Sequence, residues 1–408
     1  MIHPRPFYFF LPVWGQRYCG YLADRLLPCL LAPSNLPLLR AEDGHRLLIA
    51  TTREDWRSLE ILPIMHRIRR HVAPTWIAVD APDVVDDAFA QYSLNIQHMG
   101  ACLRKLVEAV HADQAYGCSL LPDVIVSDGM VASLLNYARS GHHLVLCSSL
   151  RQVQEDVLAD LERRGLWTES ARRSHTGEPL TVPPRLAAEL AVRHLHPELW
   201  RFEDDAPDRP FLPPFRYCRA PSRQGFILHT FYAVPVLMDY SVVGADHTEC
   251  LDREAFENAY IGAAFSRTAA IHFVRDINEF SILSLAPRDI NWSPPAGDRT
   301  PRRHPWAHRY TQLVSIRRSL EAYTRRGTDT VKLNLFRVGF RWHAGAPDDV
   351  WTTYERKIAR LFNLAIGDYY RSDLGLRSLL FDLPSTVLPC ARFFVHKIRQ
   401  ITGRRRTA

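Results

Sequence analysis

The sequence predicts an α/β protein in which helices flank a mixed, Rossmann-like sheet, followed by a helical C-terminal region. Over the first 165 residues, short apolar runs alternate with helical patterns, which is typical of layered βαβ units. Beyond a proline- and arginine-rich stretch, apolar residues recur at helical spacing. We therefore predict a main domain over residues 1–290, a linker over 291–308 and a helical region over 309–408.

The elements of the first half follow from apolar runs and from the turn residues between them. We predict strands at residues 7–13, 46–52, 76–80, 123–127 and 143–148. Helices are expected from Tyr18 to Leu30 and at about 54–71, 89–112, 130–139 and 152–163.

The second half is less regular. Prolines 183 and 184 open a predicted helix at 185–195, since proline is tolerated in a first helical turn. Strands are predicted at 225–230, 233–237 and 279–285, and C-terminal helices at about 309–326, 329–343 and 348–371.

Composition narrows the class of protein. Of the residues, 47% are hydrophobic and 23% charged, and no apolar run reaches the roughly 18 residues that a membrane span requires. The N-terminus lacks a secretory pattern, so we expect a soluble, cytoplasmic protein. The net charge of +7 is spread along the chain, which argues against nucleic-acid binding. The basic cluster Arg404–Arg406 predicts peripheral contact with anionic lipid, or else a solvated terminus.

One strand pattern ends in a carboxylate. The run from Pro122 to Gly129 has a buried-strand core followed by Asp128. In open α/β sheets ligands bind at the carboxyl ends of strands, so Asp128 is the first candidate site residue. The alternative interpretation is an ordinary Asp-Gly turn.

The eight cysteines contain no C-x-x-C pair, so neither a zinc site nor a redox pair is indicated. Most lie in apolar surroundings and read as reduced core residues. Cys250 lies in a polar segment and is the one candidate nucleophile, which leaves a cysteine hydrolase as a further hypothesis.

Four segments together resemble a family. They are Phe7–Gly15, Leu30–Pro37, the strand ending at Ala50–Thr52, and Leu121–Gly129. In this order they look like bacterial glycosyltransferase-like proteins with a GT-A-type, nucleotide-diphospho-sugar transferase fold. The resemblance covers residues 1–290, about 70% of the chain, and leaves out the helical tail.

The resemblance implies a divalent metal, Mn²⁺ or Mg²⁺, on the diphosphate of a nucleotide sugar. The family's Asp-x-Asp motif reads Val126-Ser127-Asp128 here, so its first acid is missing. We expect Asp128 to bind the metal with His229, and Ser127 to contact the donor. A metal-independent transferase stays open, as does a structural role for His229 in the core.

The resemblance also implies positions for the donor nucleoside and for a general base. Trp14, Gly15, Thr51 and Thr52 follow the first two strands, where such proteins receive the nucleoside, and Asp80 follows the third strand. The alternative for each is a cap or turn residue. The acids Asp246, Glu249 and Asp252 could deprotonate an acceptor hydroxyl, or could be solvated loop acids.

Two functions are therefore predicted. The first is transfer of a sugar from a nucleoside-diphosphate donor to a glycan or lipid-linked acceptor of the cell envelope, at the inner face of the cytoplasmic membrane. The second is a non-catalytic protein that uses the same fold as a binding platform in envelope polysaccharide assembly. The incomplete Asp-x-Asp motif favours the second.

Overall fold

The computed structural model describes residues 5–168, 176–206, 210, 213–220, 224–252, 260–265, 270–290, 305–324, 330–345 and 349–371. The strands are β1 Phe7–Pro12, β2 Arg46–Thr51, β3 Ala73–Ala78, β4 Tyr116–Ser119, β5 Val124–Val126, β6 Leu144–Cys147, β7 Arg151–Val153, β8 Phe215–Arg219, β9 Gly225–Thr230, β10 Val234–Asp239, β11 Ile271–Val274, β12 Ile282–Ala286 and β13 Phe340–His343. The helices are α1 Gln16–Tyr21, α2 Leu27–Leu30, α3 Arg53–Glu60, α4 Pro63–Ile68, α5 Ala88–Ala112, α6 Met130–Arg139, α7 Gln154–Arg163, α8 Pro184–Arg193, α9 Ile261–Phe265, α10 Pro305–Tyr323, α11 Thr330–Val338 and α12 Asp349–Arg371.

A seven-stranded sheet forms the centre of the molecule, in the order β11-β6-β10-β4-β1-β2-β3. Its strands are parallel except β10, which runs antiparallel to both β4 and β6. The chain builds outward from β1 to β2 and β3, then returns to place β4 on the other side of β1. The strand order therefore reverses between β1 and β4, which makes this edge a topological switch point. The predicted α/β class, with a mixed sheet between helices, is confirmed.

The burial of β1 follows from its sequence and its place inside the sheet. All six residues of β1 are buried, because helices cover both faces of the sheet and an apolar run can face both. On one face, α5 packs with Cys102, Leu106 and Val110 fully buried. Gly117 of β4 is a close-approach position, since a Cβ there would lie 2.6 Å from the Tyr240 ring.

Two smaller sheets accompany the large one, in the orders β5-β12-β7 and β13-β9-β8. The prediction of helix throughout 329–343 is wrong at its end, where 340–343 form β13. Gly339, with a φ of +68°, ends α11, and Phe340 and Trp342 then alternate with Arg341, a strand period. Because β13 pairs with β9, residues from the C-terminal region complete a sheet begun before residue 290.

Other boundaries also differ from the sequence predictions. The helix expected at 54–71 is two helices, α3 and α4, because Pro63 begins the second. Residues 151–153 form β7 instead of the start of a helix. The strands β4, β8 and β11 are short and were not predicted from the sequence.

A partly buried ion pair lies at the amino edge of the large sheet. The Asp239 carboxylate accepts hydrogen bonds from Arg5 and His143, the latter at 2.8 Å, and from the backbone N–H of Ser241 at 3.0 Å. Arg5 also stacks over the Tyr116 ring at 4.1 Å. These contacts join the N-terminal ends of β1, β4 and β6 to the C-terminal end of the antiparallel β10.

Candidate functional site

Parallel strands bring several predicted residues to one edge. Trp14 and Gly15 follow β1, Thr52 follows β2 and Asp80 follows β3, so all lie at the carboxyl ends of three adjacent strands. This is the edge at which the strand order reverses, where open α/β sheets bind ligands.

A hydrogen-bonded brace joins the turns after β1 and β2. Thr52 Oγ1 accepts from the backbone N–H of Asp55 at 3.1 Å and so caps α3. Asp55 Oδ2 accepts from Thr52 Oγ1 and from the backbone N–H of Gly15, both at 3.0 Å. Gly15 has a φ of +79°, a conformation that favours glycine. Sequence reasoning missed Asp55, although Thr-x-x-Asp is a capping signal.

Thr51 supports this edge through its backbone. Its carbonyl oxygen accepts from the indole N–H of Trp76 at 2.9 Å and from the backbone N–H of Val79 at 3.2 Å. The Thr51 hydroxyl is fully buried and has no hydrogen-bond partner among the described residues. In this structure Thr51 therefore positions Trp76 and the residues after β3.

A first cleft of about 520 Å³ opens at the carboxyl ends of β2 and β3. This volume falls within the range of about 300 to 1,000 Å³ that small-molecule sites occupy. Trp76 stacks against Trp56 at 6.5 Å between ring centroids, and the Arg53 guanidinium lies 5.6 Å from the Trp76 ring. The cleft thus combines an aromatic surface, a cation and the Asp80 carboxylate; its lining is Thr52, Arg53, Glu54, Trp76, Ala78, Val79, Asp80 and Ala81.

Helix α5 adds two groups beside this cleft. The Trp14 ring meets the His98 ring edge-on at 4.7 Å. Burial lowers the pKa of His98, while the nearby Asp80 charge opposes that shift. Lys105 Nζ donates to the carbonyl oxygen of Ala78 at 2.9 Å. His98 and Lys105 are seven residues apart and share a helix face, a signal that sequence reasoning did not use.

A second cleft of about 170 Å³ lies at the carboxyl ends of β4 and β6, between the large sheet and the β5-β12-β7 sheet. Its lining is rich in hydroxyl groups and contains one arginine: Ser119, Leu120, Leu121, Val124, Ser149, Arg151, Tyr232, Ala233, Val234, Ile282 and Ser284. None of these residues was singled out from the sequence, because β4 and β7 were not predicted.

Asp128 and Ser127 are held in a structural junction. Asp128 Oδ1 accepts from the backbone N–H of Ser34 at 2.7 Å, and Ser127 Oγ accepts from the backbone N–H of Ser281 at 2.9 Å. Their strand, β5, belongs to the small sheet, so β4 is the strand beside β1. The strand end that faces the switch point therefore reads Ser119-Leu120-Leu121 and carries no carboxylate.

His229 lies on β9, in another sheet. Its Nδ1 is 2.8 Å from the carbonyl oxygen of Phe336, and its ring stacks on Phe362 at 3.5 Å. Burial lowers the pKa of His229 to about 4. The structure does not bring His229 to Asp128.

The two predicted ligands therefore do not fit a divalent metal. Mg²⁺ and Mn²⁺ need several converging oxygen ligands. The Asp128 carboxylate instead accepts a hydrogen bond from Ser34, and the His229 ring is packed against aromatic rings. Across the described ranges, no group of three or more His, Cys, Asp and Glu side chains could hold a metal ion.

The three predicted general bases lie on a 3-10 segment, Ala245–Asp252. The side chains of Asp246, Glu249 and Asp252 fall outside the described part of the structure. The antiparallel β10 leads the chain toward the amino edge, and the carbonyl oxygen of Val243 lies 3.1 Å from His111 Nε2 at the end of α5. This segment thus starts at the edge opposite Trp14, and its role as a base stays a prediction.

The described cysteines are core residues. Cys19, Cys29, Cys102, Cys118, Cys147 and Cys218 are free and buried. Burial raises the pKa of the Cys102 thiol to about 11 and that of Cys19 to about 12. The Cys250 side chain lies outside the described residues, as do the basic residues Arg404–Arg406. No helix in the described ranges is long and apolar enough to span a membrane.

Fold and site together define an α/β protein with two clefts along the carboxyl edge of a mixed sheet. No protein-family model matches the chain, and no curated protein matches it. The chain is similar to a solved structure from Bacillus anthracis, described as a glucose-1-phosphate thymidylyltransferase in complex with sucrose, at 11% identity and a TM-score of 0.23. That match covers 37% of this chain and 57% of the other.

Proposed function

We propose that this protein is a glycosyltransferase that binds a nucleoside-diphosphate sugar at the carboxyl edge of its large sheet. The observation that carries the proposal is the first cleft, which lies at the carboxyl ends of β2 and β3 and combines Trp76, Arg53 and Asp80. An indole surface suits a nucleobase, a carboxylate accepts hydrogen bonds from ribose hydroxyls, and a guanidinium pairs with phosphate.

The reaction is displacement at the anomeric carbon. An acceptor hydroxyl oxygen forms the new bond to that carbon, the bond to the diphosphate oxygen breaks, and the hydroxyl proton passes to a base. The nucleoside diphosphate leaves with the electron pair of the broken bond. Because the residues at Asp128 and His229 do not fit a metal, we assign part of the diphosphate charge to Arg53, which lines the first cleft.

The acceptor is proposed from the predicted function alone: a glycan or a lipid-linked acceptor of the cell envelope. The second candidate is the non-catalytic platform. The lack of fit to a metal at Asp128 favours it, because a GT-A-type site that cannot hold the metal has lost one means of activating the donor.

A thermal-shift panel of nucleotides and nucleotide sugars, with and without Mn²⁺, tests the proposal. A ligand that binds the native state at 100 times its dissociation constant stabilises it by about 2.7 kcal/mol. We expect one nucleotide family to stabilise the wild type, and Asp80→Asn to reduce that effect. Asp83→Asn, in the same loop but outside the cleft lining, is the matched control. Stabilisation by no nucleotide would reject the transferase and leave the platform.

The panel also separates binding from transfer. A bound nucleotide sugar that is hydrolysed slowly to the nucleoside diphosphate, with loss of that activity in Arg53→Gln, supports an enzyme. Binding without turnover for any acceptor class supports the platform instead.

A further inference from the structure

The second cleft has a composition suited to a phosphorylated sugar. Its hydroxyl groups come from Ser119, Ser149, Ser284 and Tyr232, and its cation is Arg151. Hydroxyls pair with sugar hydroxyls as donors and acceptors, whereas a guanidinium binds a phosphate through two parallel hydrogen bonds.

The size of the second cleft suits a ligand with a single ring. A cavity of about 150 Å³ holds a single benzene molecule, so a cleft of about 170 Å³ matches one six-membered ring. The first cleft, at about 520 Å³, is large enough for a nucleoside. The two volumes therefore suit different parts of one donor.

The position of the second cleft fits the same division. The first cleft lies at β2 and β3, and the second begins at β4, on the other side of β1. β2 and β4 are two strand spacings apart, about 10 Å. A ligand that crosses the end of β1 would place its nucleoside in one cleft and its sugar in the other.

Two further charged residues, Asp123 and Arg25, lie near the second cleft. Burial raises the pKa of Asp123, which lies directly before β5, and the nearby charges of Arg151 and Arg25 oppose that shift. Arg25 is buried, stacks on the Tyr21 ring at 3.7 Å and donates to Gln154 Oε1 at 3.0 Å. Arg25 also lies near Asp24. Arg25 is therefore held in place by packing, whereas Arg151 is exposed and lines the cleft.

We propose that the second cleft binds a sugar phosphate, with Arg151 on the phosphate and the serine and tyrosine hydroxyls on the sugar. This inference rests on the proposed function for the origin of the sugar. Arg151 then neutralises the phosphate charge that a metal would otherwise neutralise. No sequence motif identified this arginine. The sugar phosphate is either the end of the nucleotide-sugar donor or a separate phosphorylated acceptor.

The test is isothermal titration of the full chain with a set of hexose 1-phosphates, the corresponding free hexoses and nucleoside monophosphates. We expect Arg151→Gln to weaken hexose 1-phosphate binding at least tenfold while nucleoside monophosphate binding changes less than twofold. Arg151→Lys should lie between, because it keeps the charge without the two parallel bonds. Arg46→Gln is the matched control, since Arg46 lies at the start of β2 and pairs with Asp113 at the opposite edge.

The outcomes separate the two proposals. Nucleotide binding without hexose 1-phosphate binding, or hexose 1-phosphate binding that Arg151→Gln leaves intact, overturns the assignment of the second cleft and leaves the proposed function standing. Hexose 1-phosphate binding that depends on Arg151, without any nucleotide binding, supports the second cleft and rejects the proposed donor. Competition between a nucleotide sugar and the hexose 1-phosphate identifies the donor end, and simultaneous binding identifies an acceptor.

Discussion

Replacing Asp239 tests the partly buried ion pair at the amino edge of the sheet. The bonds from Arg5, His143 and Ser241 to the Asp239 carboxylate lower its pKa from 3.8 to about 2, against the opposing effect of burial. A lowering of this size corresponds to about 2 kcal/mol of stability at neutral pH. The Asp239 side chain is 1% exposed, whereas those of Arg5 and His143 are 33% and 34% exposed, so solvent partly screens the pair. Asp239→Asn should therefore lower the free energy of unfolding by about 1 to 2 kcal/mol at pH 7.

The pH dependence separates charge from packing. A carboxyl group with a lowered folded pKa stabilises the protein fully above its unfolded pKa and loses that contribution as pH falls toward the folded pKa. The difference between wild type and Asp239→Asn should therefore shrink by about half at pH 3. Urea denaturation at both pH values measures it. A difference that is absent at pH 7, or equally large at pH 3, would refute the electrostatic explanation. Nucleotide affinity should not change, because both clefts lie at the other edge.

Three further predictions follow from the geometry. Gly225→Ala should destabilise the protein strongly in a thermal melt, because the new Cβ would lie 2.1 Å from the Trp342 carbonyl oxygen across the β9–β13 pairing. Gly244→Ala is the control and should have little effect, because a Cβ at Gly244 would meet open space. Burial lowers the pKa of His229 from 6.5 to about 4, so the unfolded protein binds a proton at this residue before the folded protein does. The free energy of unfolding should therefore fall by about 2 kcal/mol between pH 7 and pH 5. An equally large fall in the His229→Gln variant would contradict this explanation. Asp55→Ala removes the carboxylate that accepts hydrogen bonds from Gly15 and Thr52, and should lower the free energy of unfolding by about 1 to 2 kcal/mol in urea denaturation. Asp55→Asn should have an intermediate effect. Unchanged unfolding midpoints would show that these hydrogen bonds do not stabilise the edge.

Local patterns were enough to predict the elements that carry the first cleft. The apolar runs of β1 and β2 and the residues that follow them are adjacent in sequence, so the positions of Trp14, Thr52 and Asp80 at strand ends could be inferred without tertiary information. Helix α6 lies at the predicted residues for the same reason: its apolar period is clear and Gly129 precedes it. The capping pair of Thr52 and Asp55 was equally local, although it was overlooked.

The partners of each strand could not be inferred in this way. The run that ends at Asp128 reads as a strand from its sequence, but only tertiary pairing places it beside β12 and leaves the unpredicted β4 next to β1. The second cleft, with Arg151, exists only because β4, β6 and β7 meet in space.

Strand direction is likewise a property of the whole fold. β10 lies between two parallel neighbours yet runs against them, which sends Asp246 toward the amino edge. Phe340–His343 become a strand because β9 offers a free edge more than 100 residues earlier in the chain. The sequence by itself thus determined the α/β class and the residues at the first strand ends, since these depend on local periodicity and turns. Which strands are neighbours, and hence which side chains share a cleft, depends on hydrogen bonds between distant segments, and that was decided by the tertiary structure alone.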